Sequence, residues 1–139
     1  LTDLQKEGKI RHIGLSEVSV EQLEQARKLA KIVSVQNLFN LTNRSAQPLL
    51  EHVTKLGIAF IPWYPLATGK RAGSGGPLDQ LAQKHGATPS QLALVWLLKR
   101  SPVMLPIPGT SSVKHLEENV AGAEVELSDA ELASIDQAD

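Results

Sequence analysis

The chain has 139 residues, 42% of them hydrophobic, with 15 acidic side chains set against 14 basic ones and no cysteine. This is the composition of one soluble globular domain, and it excludes disulfides and thiolate metal sites. A formal charge of -1 offers no basic field to a phosphate backbone, and no apolar run approaches the roughly 18 to 20 residues needed to cross a bilayer, so neither nucleic acid nor membrane is an expected partner. The opening residues, Leu1 to Gly8, start without methionine and have neither the basic start nor the apolar stretch of a signal peptide. They read as a helix cut mid-chain, and a cysteine-free sequence without an export signal points to the cytoplasm.

Short β-branched apolar runs alternate with longer segments of helical period, the pattern of strand-helix units around a parallel sheet. The predicted strands are Ile10 to Leu15, Ile32 to Gln36, Ile58 to Trp63 and Val103 to Ile107. The first helix opens at Ser19, whose hydroxyl caps the backbone while Gln22 reaches back, and Leu23, Ala26 and Ala30 recur on one face. A second runs from about Asn43 or Ser45 with Leu49, Leu50, Val53 and Leu56 on one side, and Gly57 supplies its left-handed stop. Between the third and fourth strands the connection lengthens into a glycine-rich loop (Gly69, Gly73, Gly75, Gly76), a helix from Pro77 to His85, and another capped at Thr88 with Gln91 three residues on. Enlarged strand-to-helix connections of this kind commonly carry function. A further helix starts near Ser112 with Leu116, Val120 and Ala123, and a last one begins at Ser128 with Glu131 completing a capping box and Leu127 and Leu132 as a staple.

Such α/β units fit an open doubly wound sheet or part of a (β/α)8 barrel. No G-x-G-x-x-G follows the first strand, and the phosphate-compatible segments follow the third and fourth, as they would after the last strands of a TIM barrel. The expectation is therefore a half barrel of four parallel strands, one domain over 1–139.

Each predicted strand ends in polar or aromatic residues: Ser16 and Glu17, Gln36 and Asn37, Trp63 and Tyr64, then Gly109, Thr110 and Ser111. Strand ends meet loops and are often polar for that reason alone, but here the set is chemically coherent. The Gln36 amide and Ser16 hydroxyl can hold a flat amide-bearing ring while the Trp63 indole stacks on it, which describes a nicotinamide site. The run from Ile107 to Asn119 passes through a glycine and three hydroxyls into a helix N-terminus, where free N-H groups and Lys114 attract a phosphate. The same serines and threonines also fit simple helix capping. Lys70 and Arg71, on the glycine-rich loop, can clamp a second phosphate or stand as solvated charges. The histidines are too widely spaced for a metal site, Trp96 sits among Leu92, Val95 and Leu97 as a core residue, and Asp129, Glu131, Asp136 and Asp139 read as a solvated face.

Taken in order, Glu7 to Ser16, Val35-Gln36-Asn37, Pro65-Leu66, Gly86-Ala87-Thr88-Pro89 and Leu105 to Thr110 resemble the aldo-keto reductase family, and the wording at Pro65-Leu66 and Pro108 to Ser112 is most similar to bacterial pyridoxal-reductase-like members. The resemblance implies a (β/α)8 barrel that binds NADP(H) across its strand ends. It further implies that Ser16 and Gln36 hold the carboxamide, Trp63 stacks on the nicotinamide, and Leu66 meets the pyrophosphate. Gly109, Thr110 and Ser111 would lie at the 2'-phosphate, and Glu118 and Asn119 at the adenine. Two positions depart: Glu17 stands where an asparagine often contacts the carboxamide, and His115 where many members carry an arginine for the 2'-phosphate, a charge Lys114 would then supply. The family's tyrosine acid, lysine, aspartate and histidine lie upstream of this match, so no catalytic residue is assigned here. The only tyrosine, Tyr64, lacks the lysine and histidine that would lower its pKa.

The implied function is thus the cofactor-binding C-terminal half of an NADP-dependent oxidoreductase, a fragment inactive by itself toward aldehydes and ketones. Its partners are a nicotinamide nucleotide and either the missing N-terminal half or a second copy in a homodimer. The alternative is a non-catalytic nucleotide-binding or assembly half-barrel module.

Overall fold

The computed structural model describes residues 1–66 and 76–137. In chain order the elements are α1 (Thr2–Lys6), β1 (Ile13–Ser16), α2 (Val20–Arg27), β2 (Ile32–Leu38), α3 (Gln47–Leu56), β3 (Ala59–Trp63), α4 (Pro77–His85), α5 (Pro89–Arg100), α6 (Val113–Ala121), a short 3-10 turn (Gly122–Glu124) and α7 (Asp129–Asp136). The strands form one parallel sheet in the order β1-β2-β3.

Local chemistry sets most helix boundaries. Reciprocal capping boxes open α2 at Ser19 and Gln22, α5 at Thr88 and Gln91, and α7 at Ser128 and Glu131, each satisfying backbone donors that the first helical turn leaves unpaired. Gly57 closes α3 in the left-handed region at φ 66°, as its position predicts. α3 starts later than Asn43 or Ser45, at Gln47, because the Asn40 and Asn43 side chains take the backbone N-H groups of Thr42, Asn43 and Ser45 into turns instead of a helix.

Four strands were expected, and the described residues contain three. The segment around Val103 to Ile107 makes one parallel bridge, Phe60 to Met104, with the Phe60 N-H donating to the Val103 carbonyl (2.9 Å) and the Leu105 N-H to the Phe60 carbonyl (2.8 Å). Pro106 and Pro108 lack the donors needed to extend that ladder. The first strand begins at Ile13 because β2 starts at its partner Ile32, and the pairing slips between Ile13 and Gly14. Gly14 is demanded there by close approach: a Cβ would sit 2.4 Å from the Ser34 hydroxyl oxygen. At its other end β2 runs past Gln36 to Leu38, paired with Trp63.

The core lies between the sheet and its helices, with Leu23, Val35, Phe39, Val53, Phe60, Leu92, Trp96 and Leu97 fully buried. Leu92 through Leu97 are all buried, so α5 is covered around its whole circumference, consistent with its lack of a polar face. Two of the acids expected on a solvated face are instead structural. Asp136 accepts from the Trp96 indole (2.8 Å) and pairs with Arg44 (3.1 Å) and Arg100. Glu131 accepts from Lys84 (2.9 Å), His85 (2.8 Å) and the Ser128 N-H (2.8 Å), and these donors, Lys84 first, hold its carboxyl well below the ordinary range. Among the described residues no helix is long and apolar enough to cross a membrane.

Candidate functional site at the strand ends

The parallel register places the expected residues together. Ser16 lies directly beside Gln36, and Leu38 beside Trp63, so the C-terminal ends of all three strands open on the same edge of the sheet. Glu17 crosses that edge. Its backbone N-H donates to the Gln36 carbonyl (2.9 Å), and its carboxylate oxygen Oε1 accepts from both the Leu38 N-H (2.8 Å) and the Trp63 indole N-H. Ser16 is exposed, Gln36 is half-buried, and Trp63 keeps 38% of its surface in solvent.

Backbone strain concentrates at this edge. The only non-glycine residues with positive φ among those described are Glu17 (52°) and Tyr64 (55°), each following the last residue of a strand. Such a conformation costs about 1–3 kcal/mol per residue and persists only where the surroundings over-determine it. For Tyr64 the surroundings include Asn40, buried to 1% exposure, whose amide donates to the Tyr64 carbonyl (3.0 Å) while its Oδ1 accepts from the Thr42 N-H, the Thr42 hydroxyl and the Asn43 N-H, all at 2.9 Å. Asn40 was not singled out from sequence, although Asn40-Leu41-Thr42-Asn43 carries the signature of an Asx turn. Asn37 is tied up locally: its amide donates to the Val18 carbonyl (3.1 Å) and its Oδ1 accepts from the Val18 N-H (3.3 Å), clipping the β1–α2 connection in place. A cleft of about 340 Å³ opens beside these residues, lined by Glu17, Val18, Ser19, Leu38 and Pro48 among others.

The second group lies before and along α6. Gly109, Thr110 and Ser111 form an exposed turn, and a Cβ on Gly109 would meet nothing within 4 Å. The Ser112 N-H donates to the Thr110 hydroxyl (3.0 Å), and Ser112 in turn caps α6 by accepting from the His115 N-H (3.4 Å). Ser112 therefore serves the helix, while Ser111 and His115 lie exposed. Lys114 is 80% exposed and pairs only loosely with Glu118 (3.8 Å), which leaves its ammonium able to swing. Glu118 and Asn119 are half-buried on α6, and the Gln91 amide donates to the Glu118 carbonyl (2.8 Å). Leu66 is half-buried just beyond β3. Lys70 and Arg71 lie outside the described residues. Among those described, no group of three His, Asp or Glu side chains is placed to hold a metal ion.

The chain as a whole has known relatives. The model of the aldo/keto reductase family matches residues 1–139, and the chain belongs to that family. It is 54% identical over 134 residues to an uncharacterized oxidoreductase of Schizosaccharomyces pombe, covering 96% of this chain and 44% of that protein. It is 44% identical over 136 residues to the pyridoxine 4-dehydrogenase of Escherichia coli, covering 98% of this chain and 47% of that protein. Among solved structures, an aldo/keto reductase from Klebsiella pneumoniae in complex with NADP and acetate superposes with a TM-score of 0.87 at 28% identity, over 98% of this chain and 50% of that one. The chain thus spans about half the length of the curated relatives it matches.

Proposed function

We propose that this chain is the NADP(H)-binding, C-terminal half of an aldo-keto reductase barrel whose reaction is the reduction of aldehydes or ketones. The observation that carries the reading is the alignment of Ser16, Gln36 and the exposed Trp63 indole at one sheet edge, in a family with an NADP-bound relative. The donor set fits a nicotinamide: a hydroxyl and an amide for its carboxamide, and a wide apolar ring for its face. The exposed turn of Gly109, Thr110 and Ser111, with Lys114 and His115 on the next helix turn, fits a phosphate on the adenosine side. Glu118 and Asn119 face the adenine in this reading, Leu66 lies along the pyrophosphate, and Lys70 and Arg71 are further candidates for it. The nicotinamide, when bound, supplies the hydride; the chain's own residues bind and orient it.

No proton donor is assigned here, because the tyrosine, lysine, aspartate and histidine of the family lie upstream of the residues that carry the resemblance, and Tyr64 has no lysine or histidine beside it in sequence. The isolated chain is therefore expected not to reduce aldehydes with NADPH in steady-state assays. Turnover abolished by Tyr64→Phe would move the acid to Tyr64. For the nucleotide itself, changing Thr110 and Lys114 together to alanine is expected to weaken NADP(H) by about 1 to 3 kcal/mol, with a smaller effect on NADH. Equal losses for both nucleotides in calorimetry would remove the 2'-phosphate from this turn.

A second reading, a non-catalytic assembly module, is favoured by one feature. Val113, Leu116 and Val120 form an apolar stripe on α6 exposed to 72, 54 and 66%, and Leu105 and Ile107 at the sheet's far edge are 54 and 44% exposed. We propose that these surfaces pack against further strand-helix units, supplied by an N-terminal half or by a second copy of the chain. Sedimentation that finds a stable folded monomer would overturn the pairing with a second copy.

A further inference from the structure

We infer that Glu17 is a positioning residue: its carboxylate fixes the ring plane of Trp63 at the mouth of the site. This deepens the proposed nicotinamide reading and rests on it for its consequence, though not for its geometry. Trp63 is more than one-third exposed, and an indole with that much freedom samples several rotamers unless its N-H is held. One oxygen of Glu17 holds it. Because the same Oε1 also accepts from the Leu38 N-H at 2.8 Å, the acceptor is itself tied to β2, beside Trp63 in the register. The two donors therefore meet at a single point fixed to the sheet, and the bond to the indole is charge-assisted.

The cost of this arrangement is visible at the backbone. Glu17 adopts φ 52°, a region where asparagine or glycine is more at ease, and in that conformation its side chain, starting at the end of β1, reaches the ends of both β2 and β3. An asparagine would relieve the backbone but is one methylene shorter. The glutamate is thus explained by the distance to Trp63.

The test uses the chain's two indole N-H resonances. Trp63→Phe assigns them, and Trp96, bonded to Asp136, serves as an internal reporter of intact folding. In Glu17→Ala the Trp63 resonance is expected to move upfield and to exchange faster with solvent, while the Trp96 resonance and the melting temperature stay put. Glu17→Gln is expected to restore the resonance, since its side-chain oxygen can accept both bonds. NADPH affinity is expected to fall by about threefold to tenfold in Glu17→Ala, with recovery in Glu17→Gln, the worth of one well-placed aromatic stacking contact. A Trp63 resonance unchanged in Glu17→Ala would overturn the inference. Unchanged affinity in Trp63→Ala would instead overturn the stacking of Trp63 on nicotinamide and leave the hold of Glu17 on the ring intact.

Discussion

The two tryptophans of this chain make the same bond in opposite surroundings. Each indole N-H donates to a carboxylate, Trp63 to Glu17 and Trp96 to Asp136. What differs is what covers the rings. Trp96 has no exposed surface: Phe39 stacks on it with centroids 5.7 Å apart, and the guanidinium groups of Arg44 and Arg100 lie 4.9 and 4.2 Å from its ring. Trp63 keeps 38% of its surface in solvent at the strand ends, bonded to one strained residue, Glu17, and followed by the other, Tyr64. A ring saturated with protein contacts can only stabilise, whereas a ring held by its N-H and partly in solvent is the one that the proposed nicotinamide site uses.

The largest expected effect tests that contrast directly. Trp96→Ala is expected to cost about 3–5 kcal/mol of unfolding free energy, because it removes a fully enclosed aromatic and strips two arginines of their cation-π partner. Trp63→Ala is expected to cost under about 1 kcal/mol, in line with other partly exposed positions. Denaturant unfolding of the two variants, with slopes compared to verify two-state behaviour, measures both. Comparable losses would erase the distinction between a structural and a receptive indole.

The carboxylates should divide in the same way. Asp136 is shared by Trp96, Arg44 and Arg100, the first a core residue of α5, so Asp136→Ala is expected to cost about 1–3 kcal/mol by leaving part-buried donors unmatched. Asp136→Asn, which keeps an acceptor for the indole, is expected to recover part of that loss. The corresponding change at Glu17, in an exposed setting, is expected to leave unfolding free energy within about 0.5 kcal/mol. The same denaturant experiment ranks all three.

These carboxylates also show where sequence reading reached and where it stopped. The helix starts at Ser19, Thr88 and Ser128 were legible because a cap and its partner stand three residues apart, the start near Ser112 from the spacing of Leu116, Val120 and Ala123, and burial of Trp96 from its apolar neighbours. The strand-end alignment of Ser16, Gln36 and Trp63 followed from parallel pairing alone. Asp136 looks solvated in the sequence because its partners Arg44, Trp96 and Arg100 are far away along the chain, and nothing local distinguishes it from Asp129. The fourth strand failed for a local reason that was present in the sequence: apolar character around Val103 to Ile107 suggested a ladder, while Pro106 and Pro108 had already removed the donors such a ladder needs. Asn40 was hidden differently, since its fourth partner, the Tyr64 carbonyl, belongs to a strained backbone that only the assembled sheet creates.

The smallest effect concerns how α7, which brings Asp136 to Trp96, is itself anchored. Glu131 at its first turn accepts from Lys84 and His85 at the end of α4 and from Ser128, and these bonds are made by the charged carboxylate. Its pKa in the folded chain lies below the ordinary value of 4.5, so the unfolded chain takes up a proton before the folded one does. The stabilisation it provides is therefore complete at neutral pH and declines as the pH falls below about 4.5, where protonation of the unfolded form begins to favour unfolding. Glu131→Gln should remove this part of the acid dependence while lowering stability at pH 7 only slightly, because its side-chain oxygen still accepts from these donors and the Lys84 charge it would lose is itself largely in solvent. The measurement is unfolding free energy against pH for the parent and the variant. A parallel pair of curves would show that Glu131 does not contribute to acid sensitivity. Convergence of the two curves at low pH would locate part of that sensitivity at the α4–α7 contact, in the helix that also brings Asp136 to Trp96.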